Sequence, residues 1–290
     1  MATIETRPKQ GSLPPEPLTL EGSSVLHSMY RIRWSGLHAL PEIRRRELVT
    51  EAQKLFQEAE ESGQTAVYSV FGHKADLMLV HFRPTFEELK AAELAVDSLG
   101  LREYLEPSHS YLSMVELGLY EASLKMYQNL VTQGVAPNSP EWNAVMEETM
   151  TRAREAMKPR LFPKIPGARY VCFYPMDRRR GEDKNWYSLP IENRQKQMDV
   201  HGTKGRRWAG KVLQIISGSI GFDDWEWAVD LFSNEPVHFK KLIYEMRFDE
   251  VSAEYSNFGI FMVGVRCAVK DLNKLFEGKL PEFDAAPLSR

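Results

Sequence analysis

One succession of apolar patterns occurs twice along this chain of 290 residues. Short runs of apolar or alternating residues predict strands, and longer stretches with apolar residues three or four positions apart predict helices. Both halves of the chain follow the order β-α-β-β-α-β. This order is typical of the ferredoxin-like motif, in which an antiparallel sheet carries its helices on one face. The sequence therefore predicts an α+β protein with a duplicated domain.

The predicted elements define the domain organisation. The first copy comprises strand Leu26–Trp34, helix Pro41–Glu61, strands Thr65–Phe71 and Leu77–Phe82, helix Thr85–Leu99 and strand Tyr111–Leu117. The second comprises strand Arg169–Pro175, helix Leu189–His201, strands Val212–Ile216 and Trp225–Phe232, helix Pro236–Met246 and strand Phe258–Cys267. Helices Tyr120–Gln133 and Pro140–Met157 are predicted between them. We therefore expect domains over residues 23–118 and 168–290, joined by a helical connector over 119–167.

Composition excludes several classes of protein. A net charge of −3 and a pI near 6.2 lack the basic excess of proteins that bind nucleic acid. No stretch reaches the roughly 18 apolar residues of a membrane span, and the N-terminus lacks the apolar segment of a signal peptide. We expect a cytoplasmic protein without nucleic-acid or membrane partners. Residues 1–22 contain four prolines among polar residues and are predicted to be a flexible arm, and the two cysteines are expected to be buried thiols.

One of the seven histidines lies in a setting that suits a metal. His201 is predicted to end its helix, with Gly202 as a left-handed C-cap, on the same helix face as Arg194 and Met198. A single imidazole suits haem iron, whose porphyrin supplies four further ligands, better than zinc. The alternative is a histidine that only interacts with the helix dipole. Covalent c-type haem is excluded, since the sequence contains no Cys-x-x-Cys-His motif.

A tyrosine precedes a run of positive charge at the end of the strand Arg169–Pro175. The run is Tyr174-Pro175-Met176-Asp177-Arg178-Arg179-Arg180. An oxidisable phenol beside guanidinium groups, which bind carboxylates in bidentate fashion, suits the oxidation of an acidic substrate. The same pattern is also typical of a strand that ends in solvated charges, so both interpretations stay open at this point.

Several motifs of the second half occur in the same order in a known family. They are Tyr174-Pro175-Met176, Asn185-Trp186-Tyr187, His201-Gly202, Gln214, Gly218-Ser219-Ile220-Gly221, Asp223-Asp224-Trp225-Glu226-Trp227 and Arg247-Phe248-Asp249-Glu250-Val251-Ser252-Ala253. On these motifs the chain resembles the coproheme decarboxylases of Gram-positive bacteria, within the chlorite dismutase-like superfamily. The resemblance is close over Arg160 to Cys267 and looser in the first half.

The resemblance implies a fold and an activity. Two ferredoxin-like domains per subunit would form a dimeric α+β barrel-like unit, and subunits would form a homopentamer. The second domain would bind haem: iron-coproporphyrin III (coproheme) as substrate and redox centre, and haem b as product. Hydrogen peroxide would drive the decarboxylation of two propionates through a radical on Tyr174. A contact with the iron-inserting ferrochelatase is a further expectation.

The resemblance also implies roles for individual residues. His201 would bind the iron, and Gln214 would be a catalytic distal residue where chlorite-degrading relatives have an arginine. The residues expected to bind the cofactor besides His201 are Arg160, Met176, Arg247 and Ser252.

Position 178 departs from the family pattern. Arg178 stands where the family has a lysine and is expected to assist catalysis at the second propionate, with a bulkier and less easily deprotonated group. The alternative functions are a chlorite dismutase or haem peroxidase of the same superfamily, which Gln214 argues against, and a non-catalytic haem carrier or sensor.

Overall fold

The strands of both halves join into one antiparallel sheet, in a computed structural model that describes residues 13–288. The strands are β1 (Thr19–Ile32), β2 (Thr65–Val70), β3 (Leu77–Arg83), β4 (Leu105–Gly118), β5 (Tyr170–Arg178), β6 (Leu213–Gly218), β7 (Trp227–Ser233), β8 (Ser256–Phe258) and β9 (Met262–Cys267). Their order is β7-β6-β4-β1-β3-β2-β9-β5-β8, and β7 also pairs with β5. The sheet therefore closes into a ring of eight strands, to which β8 is added.

The ring contains two copies of one topology. The order β4-β1-β3-β2 in the first half corresponds to β9-β5-β7-β6 in the second, and the halves are joined by the pairs β2–β9 and β4–β6. The helices of the described chain are α1 (Trp34–Ala39), α2 (Glu42–Glu61), α3 (Phe86–Asp97), α4 (Tyr120–Thr132), α5 (Pro140–Leu161), α6 (Ile191–Arg206), α7 (Val237–Met246), α8 (Glu250–Glu254) and α9 (Leu272–Phe276). The predicted α+β fold with two ferredoxin-like copies in a barrel-like unit is confirmed.

Local sequence signals begin several of these helices. Thr85 precedes α3 and its side chain accepts a hydrogen bond from the Glu88 backbone N–H, so it caps the helix. Ser139 caps α5 in the same way, and Pro140 occupies the first helical turn, where its missing N–H costs nothing. The sequence can indicate the N-termini of α3 and α5 because each capping residue is only three residues from its partner.

The apolar core has an inner and an outer part. Alternate residues of the strands point into the ring, where Val25, Tyr68 and Phe173 belong to one buried cluster. In the first half, the outward-facing residues of the sheet are covered by α2, which contributes Leu48, Val49, Ala52 and Phe56 to a second cluster. Leu272, Leu275 and Phe276 of α9 complete that cover. The outer face of the first half is thereby sealed.

The arm predicted over residues 1–22 is wrong in its second part. β1 begins at Thr19, Leu20 is fully buried, and the Leu18 backbone N–H donates to Ser123 Oγ at 2.9 Å. Tyr127 Oη donates to the Glu16 carbonyl oxygen at 3.0 Å. Residues of the connector helix α4 therefore supply the partners that this segment lacks in its own sequence. Residues 1–12 of the predicted arm lie outside the described residues.

The last predicted strand, Phe258–Cys267, is two strands. β8 pairs with the end of β5 and β9 with its beginning. Between them, Gly259 lies so close to β5 that a Cβ there would be 2.8 Å from Pro175 Cγ, and its N–H donates to the Pro175 carbonyl oxygen at 2.9 Å. The apolar sequence is continuous, but this close approach shifts the chain out of one ladder and into the other.

Two further properties bear on the chemistry. Cys172 and Cys267 are buried and free. Within residues 13–288, the helices lack the combination of length and apolar character that a membrane crossing requires.

Candidate functional site

Helix α6 of the second half is packed differently from its counterpart α2. It buries only Ile191 and Arg194. The apolar cluster on the outer face of this half includes Phe239 and Leu242 of α7 but no residue of α6, which packs chiefly against α4, α7 and α8. A polar helix is thus held opposite a sheet face that it does not seal.

That sheet face carries two of the predicted catalytic residues. Tyr174 of β5 is directly opposite Val229 of β7, which is directly opposite Ile216 of β6, so the three side chains lie in a row on one face. Gln214 lies two residues from Ile216 and therefore faces the same side. Ile216 is 37% exposed and Gln214 is exposed, whereas Val229 is buried. The face therefore offers an apolar surface with one amide and one phenol.

His201 lies on the same face of α6 as Met198, which reaches the end of β5. Met198, one turn earlier on the same helix face, is 3.6 Å from the guanidinium of Arg178 on β5. The His201 Nδ1 is 3.1 Å from Asp249 Oδ2, and the His201 side chain is 26% exposed. A donated Nδ1–H leaves Nε2 with its lone pair, the form in which an imidazole binds iron.

Asp249 holds two partners at once. Its Oδ1 accepts the Ser252 backbone N–H at 2.8 Å as the N-cap of α8, while its Oδ2 faces His201. Burial alone would raise the pKa of Asp249, but the hydrogen bonds from His201 and Ser252 outweigh it and lower the pKa. The carboxylate therefore stays ionised beside the imidazole and fixes the orientation of the ring.

The prediction that Gly202 caps the helix after His201 is wrong. α6 continues to Arg206, and the glycine with a left-handed backbone after it is Gly210, with φ of 80°. Glycine costs only about 1 kcal/mol relative to alanine within a helix, and Lys204 and Arg206 in the last turn interact favourably with the helix dipole. His201 is thus held inside a helix rather than at its frayed end.

Tyr174 lies in an aromatic pocket. Its ring stacks on Phe261 at a centroid distance of 4.5 Å and tilts against Phe258 at 5.9 Å. Burial raises the pKa of Tyr174 well above its ordinary value, against the opposing effect of the Arg247 guanidinium. The phenol is therefore neutral at physiological pH.

Arg178 is buried at the end of β5, with 9% of its surface exposed. Its Nη1 donates to Ser256 Oγ at 2.6 Å, and its guanidinium carbon lies 4.8 Å from the centroid of Trp186. It shares the strand face of Tyr174 and Met176, because side chains two and four residues apart point the same way. A solvated run of charge, the alternative interpretation of this segment, does not describe Arg178.

Of the four remaining predicted residues, three lie near Tyr174 or Asp249 and one lies apart from them. Met176 packs in the same cluster as Tyr174. Arg247 follows α7 and lies 3.7 Å from the centroid of Phe258, so it belongs to the same pocket. Ser252 is buried on α8 beside Asp249. Arg160 is exposed in the last turn of α5 and contacts Met157 Sδ, and the structure does not bring it to the others within the described residues.

Sequence reasoning missed two residues of the site. Asp249 belongs to one of the family motifs, but nothing in the sequence pairs it with a histidine 48 residues earlier. Arg194 was recognised only as sharing a helix face with His201, and its burial was not anticipated. Its position among polar residues gave no signal, since burial depends on α4, which packs against α6.

Comparison with known proteins agrees with this geometry. The family model described as Chlorite dismutase matches residues 45–267. The chain belongs to the chlorite dismutase family. A coproheme decarboxylase from Staphylococcus saprophyticus is 42% identical over 269 residues, which are 91% of this chain and 99% of that relative.

Solved structures of two other proteins share the fold. A heme-binding protein from Thermus thermophilus is 40% identical with a TM-score of 0.77, over 92% of this chain and 99% of that one. Chlorite dismutase from Candidatus Nitrospira defluvii in complex with imidazole is 16% identical with a TM-score of 0.65, over 88% of this chain and 95% of that one. At that identity the likeness shows the fold alone.

The described residues of this chlorite dismutase family member fit an iron porphyrin. Residues 13–288 contain no group of three or more His, Cys, Asp or Glu side chains that could hold a metal ion by themselves. His201 offers one imidazole backed by a carboxylate, and the sheet face opposite α6 is apolar and only partly covered. A flat ligand that brings its own equatorial donors matches this donor set.

Proposed function

We propose that the protein is an enzyme of haem biosynthesis that decarboxylates two propionates of coproheme with hydrogen peroxide and yields haem b. The observation that carries this proposal is the arrangement of His201 and Tyr174 on facing elements of a chain 42% identical, over nearly its full length, to a coproheme decarboxylase. In each round, one propionic acid group and one peroxide give a vinyl group, one carbon dioxide and two waters.

The coproheme iron would supply the reaction with peroxide, and the protein would supply position and proton control. His201 Nε2 would bind the iron, with Asp249 fixing the ring through Nδ1. Tyr174 would give up an electron and its phenolic proton and then take a hydrogen atom from the nearby propionate. Its aromatic surroundings favour this role because they exclude water and hold the phenol neutral beforehand.

Cations around the pocket would orient the acidic groups of the substrate. Arg247 lies over Phe258, next to Tyr174, and Ser252 lies beside Asp249. Arg178, on the strand of Tyr174, would face the second propionate, and Gln214 would lie over the distal side. Arg160 would join them only if a ligand or a second subunit completes the site, since it is exposed on α5.

The proposal extends to assembly and location. A homopentamer, a cytoplasmic location and a contact with ferrochelatase follow from the resemblance to coproheme decarboxylases. Sedimentation of the purified protein would test the pentamer directly.

Mass analysis of the purified protein mixed with coproheme and titrated with peroxide tests the function. We expect the substrate mass to fall by two successive losses of one carboxyl unit, with haem b as the final product. Oxygen release from chlorite, with coproheme unchanged, would identify a chlorite dismutase instead. Coproheme that binds and is left intact by peroxide would identify a carrier or sensor.

A further inference from the structure

A buried polar contact crosses the interior of the ring from one half to the other. The side chains of His27 on β1 and Asp230 on β7 are 0% and 1% exposed, and His27 Nε2 lies 2.9 Å from Asp230 Oδ1. The His27 ring stacks on Phe173 of β5 at a centroid distance of 4.2 Å. Among residues 13–288, His27 Nδ1 and Asp230 Oδ2 lack a hydrogen-bond partner. Each side chain therefore depends on the other for its hydrogen bond.

The residues at this contact occupy matched positions in the two halves. Strands β3 and β7, which correspond to each other, both have seven residues, and Val80 and Asp230 are the fourth residue of each. His27 on β1 is directly opposite Val80, and Phe173 on the corresponding strand β5 is directly opposite Asp230. His27 therefore matches Phe173, and Val80 matches Asp230.

The polar contact is complete only when unlike halves face each other. Two first halves would bring together two copies of His27 and two of Val80, so the imidazoles would have no carboxyl group as partner. Two second halves would bring together two copies of Asp230 and two of Phe173, with no imidazole. Two carboxyl groups in one apolar space cannot both be ionised without a large cost, and buried polar groups without partners are unfavourable.

The surroundings offer little compensation for a wrong pairing. The cluster inside the ring is largely apolar and includes Val25, Met29 and Phe232. The nearby hydroxyl groups have partners of their own: Tyr111 Oη lies 2.8 Å from Ser219 Oγ, and Ser113 Oγ donates to Ser217 Oγ at 2.8 Å. In such surroundings an unsatisfied polar group is costly.

A second contact between the halves acts in the same direction. Arg266 of β9 is 4% exposed; its Nη2 lies 3.3 Å from Glu60 Oε1 on α2, and its Nη1 donates to Tyr68 Oη on β2 at 3.2 Å. Both partners belong to the first half, so two second halves would leave the guanidinium without them. Glu60 is 19% exposed, and this contact is therefore expected to discriminate less than the fully buried pair.

We propose that His27 and Asp230 make the inner face of each half fit only the unlike half, and thereby prevent like halves of two copies of the chain from pairing during folding. The pair acts through the cost of wrong pairing more than through net stability, because apolar residues of similar volume often stabilise a core equally well. This role is independent of the proposed function.

Two variants place the interior of a like pairing inside the full chain. The double-carboxyl variant, His27→Phe with Val80→Asp, has two carboxyl groups and no imidazole. The double-imidazole variant, Phe173→His with Asp230→Val, has two imidazoles and no carboxyl group. Urea unfolding at one protein concentration, followed by tryptophan fluorescence, gives the equilibrium constant for folding. We expect this constant to fall at least about a hundredfold in the double-carboxyl variant and about tenfold in the double-imidazole variant.

Two matched controls keep the same positions but avoid unpaired polar groups. The apolar variant, His27→Phe with Asp230→Val, makes both centres apolar. The exchanged variant carries all four substitutions and moves the imidazole to the second half and the carboxyl group to the first. Both should fold with an equilibrium constant within about tenfold of the parent.

The comparison of these four variants can overturn the inference. Parental stability of both like-centre variants would show that the interior does not discriminate. An apolar or exchanged variant as unstable as the double-carboxyl variant would show that the native pair serves stability itself. If the double-carboxyl variant does not fold, the double-imidazole variant measured against the two controls decides in the same way.

A disulfide reports directly which halves pair. Val67 is directly opposite Cys267 across the seam between β2 and β9, so Val67→Cys should form an intrachain disulfide after the chain is refolded under reducing conditions and then oxidised. Linked halves have an effective concentration on the order of 1 mM. At about 0.5 mM protein, the apolar variant should therefore leave at least about threefold more free thiol at positions 67 and 267 than the parent. Equal free thiol in the two proteins would overturn the inference.

Discussion

Each half of the molecule has a histidine on the outer face of its sheet or on the helix that packs over that face. The two histidines differ in burial and in their hydrogen-bond partners. His81 of β3 is buried, and its Nδ1 lies 2.9 Å from Thr65 Oγ1 beneath the sealed cover of the first half. His201 of α6 is partly exposed and faces a carboxylate. Burial and the nearby Arg83 lower the pKa of His81 to about 3, so it stays neutral.

The same difference extends to the helices that carry or cover these histidines. In the first half, α2 contributes four residues to the apolar cluster that covers the outer face of the sheet. In the second half, α6 contributes none to the corresponding cluster and presents His201 and Arg194 instead. The topology is the same, so under the proposed function the pattern of apolar residues on one helix would decide which half binds the cofactor.

The largest expected effect distinguishes the two tyrosines on the first strand of each half. Tyr174→Phe keeps the ring volume and should leave coproheme affinity within about threefold while lowering turnover at least about a thousandfold. Tyr30→Phe, on β1 under the cover of the first half, should keep normal turnover. Stopped-flow absorbance with peroxide measures both. Normal haem b formation by Tyr174→Phe would redirect the search to Tyr187, Trp186 or Trp208.

Substitutions of the two histidines should differ in their effect on coproheme binding. His201→Ala should weaken coproheme binding roughly a hundredfold, equivalent to about 2.8 kcal/mol, and shift the Soret band. Its melting temperature should be close to that of the parent, because the side chain contributes little to packing. His81→Gln should leave the Soret band and the affinity unchanged. An unaltered band in His201→Ala would mean that another residue binds the iron.

Asp249→Asn should have a smaller effect on the same site. Asparagine remains a good N-cap for α8 but removes the negative charge beside His201, and such changes typically cost about ten- to a hundredfold in affinity or activity. The matched control is Asp76→Asn, whose carboxylate accepts the Ile32 backbone N–H at 2.8 Å in the first half. Equal effects of the two variants on the coproheme spectrum would argue against a special role for Asp249.

A separate effect, away from the candidate site, concerns the stability of the first half against pH. An unfolded histidine binds a proton below its ordinary pKa near 6.5, whereas folded His81 does not until about pH 3. The contribution of His81 is therefore fully present above pH 6.5 and is lost as pH falls toward 3. The free energy of unfolding should fall by up to about 1.4 kcal/mol per pH unit in that window.

Urea unfolding between pH 7 and pH 5 tests this dependence. His81→Gln, which cannot take up a proton, should show a shallower pH dependence than the parent. Replacing the exposed His73 in the same way should leave the slope unchanged. A parental slope in His81→Gln would contradict the assignment.

The sequence predicted the order of elements well because that information is local. Caps, prolines and apolar spacing place most helices within a few residues of their observed ends. β4 begins six residues before the predicted strand, at Leu105 rather than Tyr111, because its first residues are polar and pair with β1 in a way no local pattern reveals. The closure of the ring depends on pairs such as Tyr68 with Arg266, which periodicity cannot show.

The candidate site was predictable to a similar extent. His201 and Tyr174 were predicted from residue type, local context and motif order, and their roles stay predictions. The link from His201 to Asp249 and the burial of Arg194 required the packing of three helices, so only the structure revealed them. The prediction that Gly202 ends α6 was wrong because glycine permits a left-handed backbone conformation without requiring one.

Ring closure has a consequence for how copies of the chain can associate. An open sheet ends in rows of unpaired N–H and C=O groups that invite another strand, but here the described sheet joins its own ends and leaves little more than the three-residue β8 as an edge. Subunits that assemble must therefore meet through side chains on helices and loops rather than through backbone pairing. Separating the halves would expose β2 and β4 on one piece and β6 and β9 on the other, which makes each half prone to aggregate on its own.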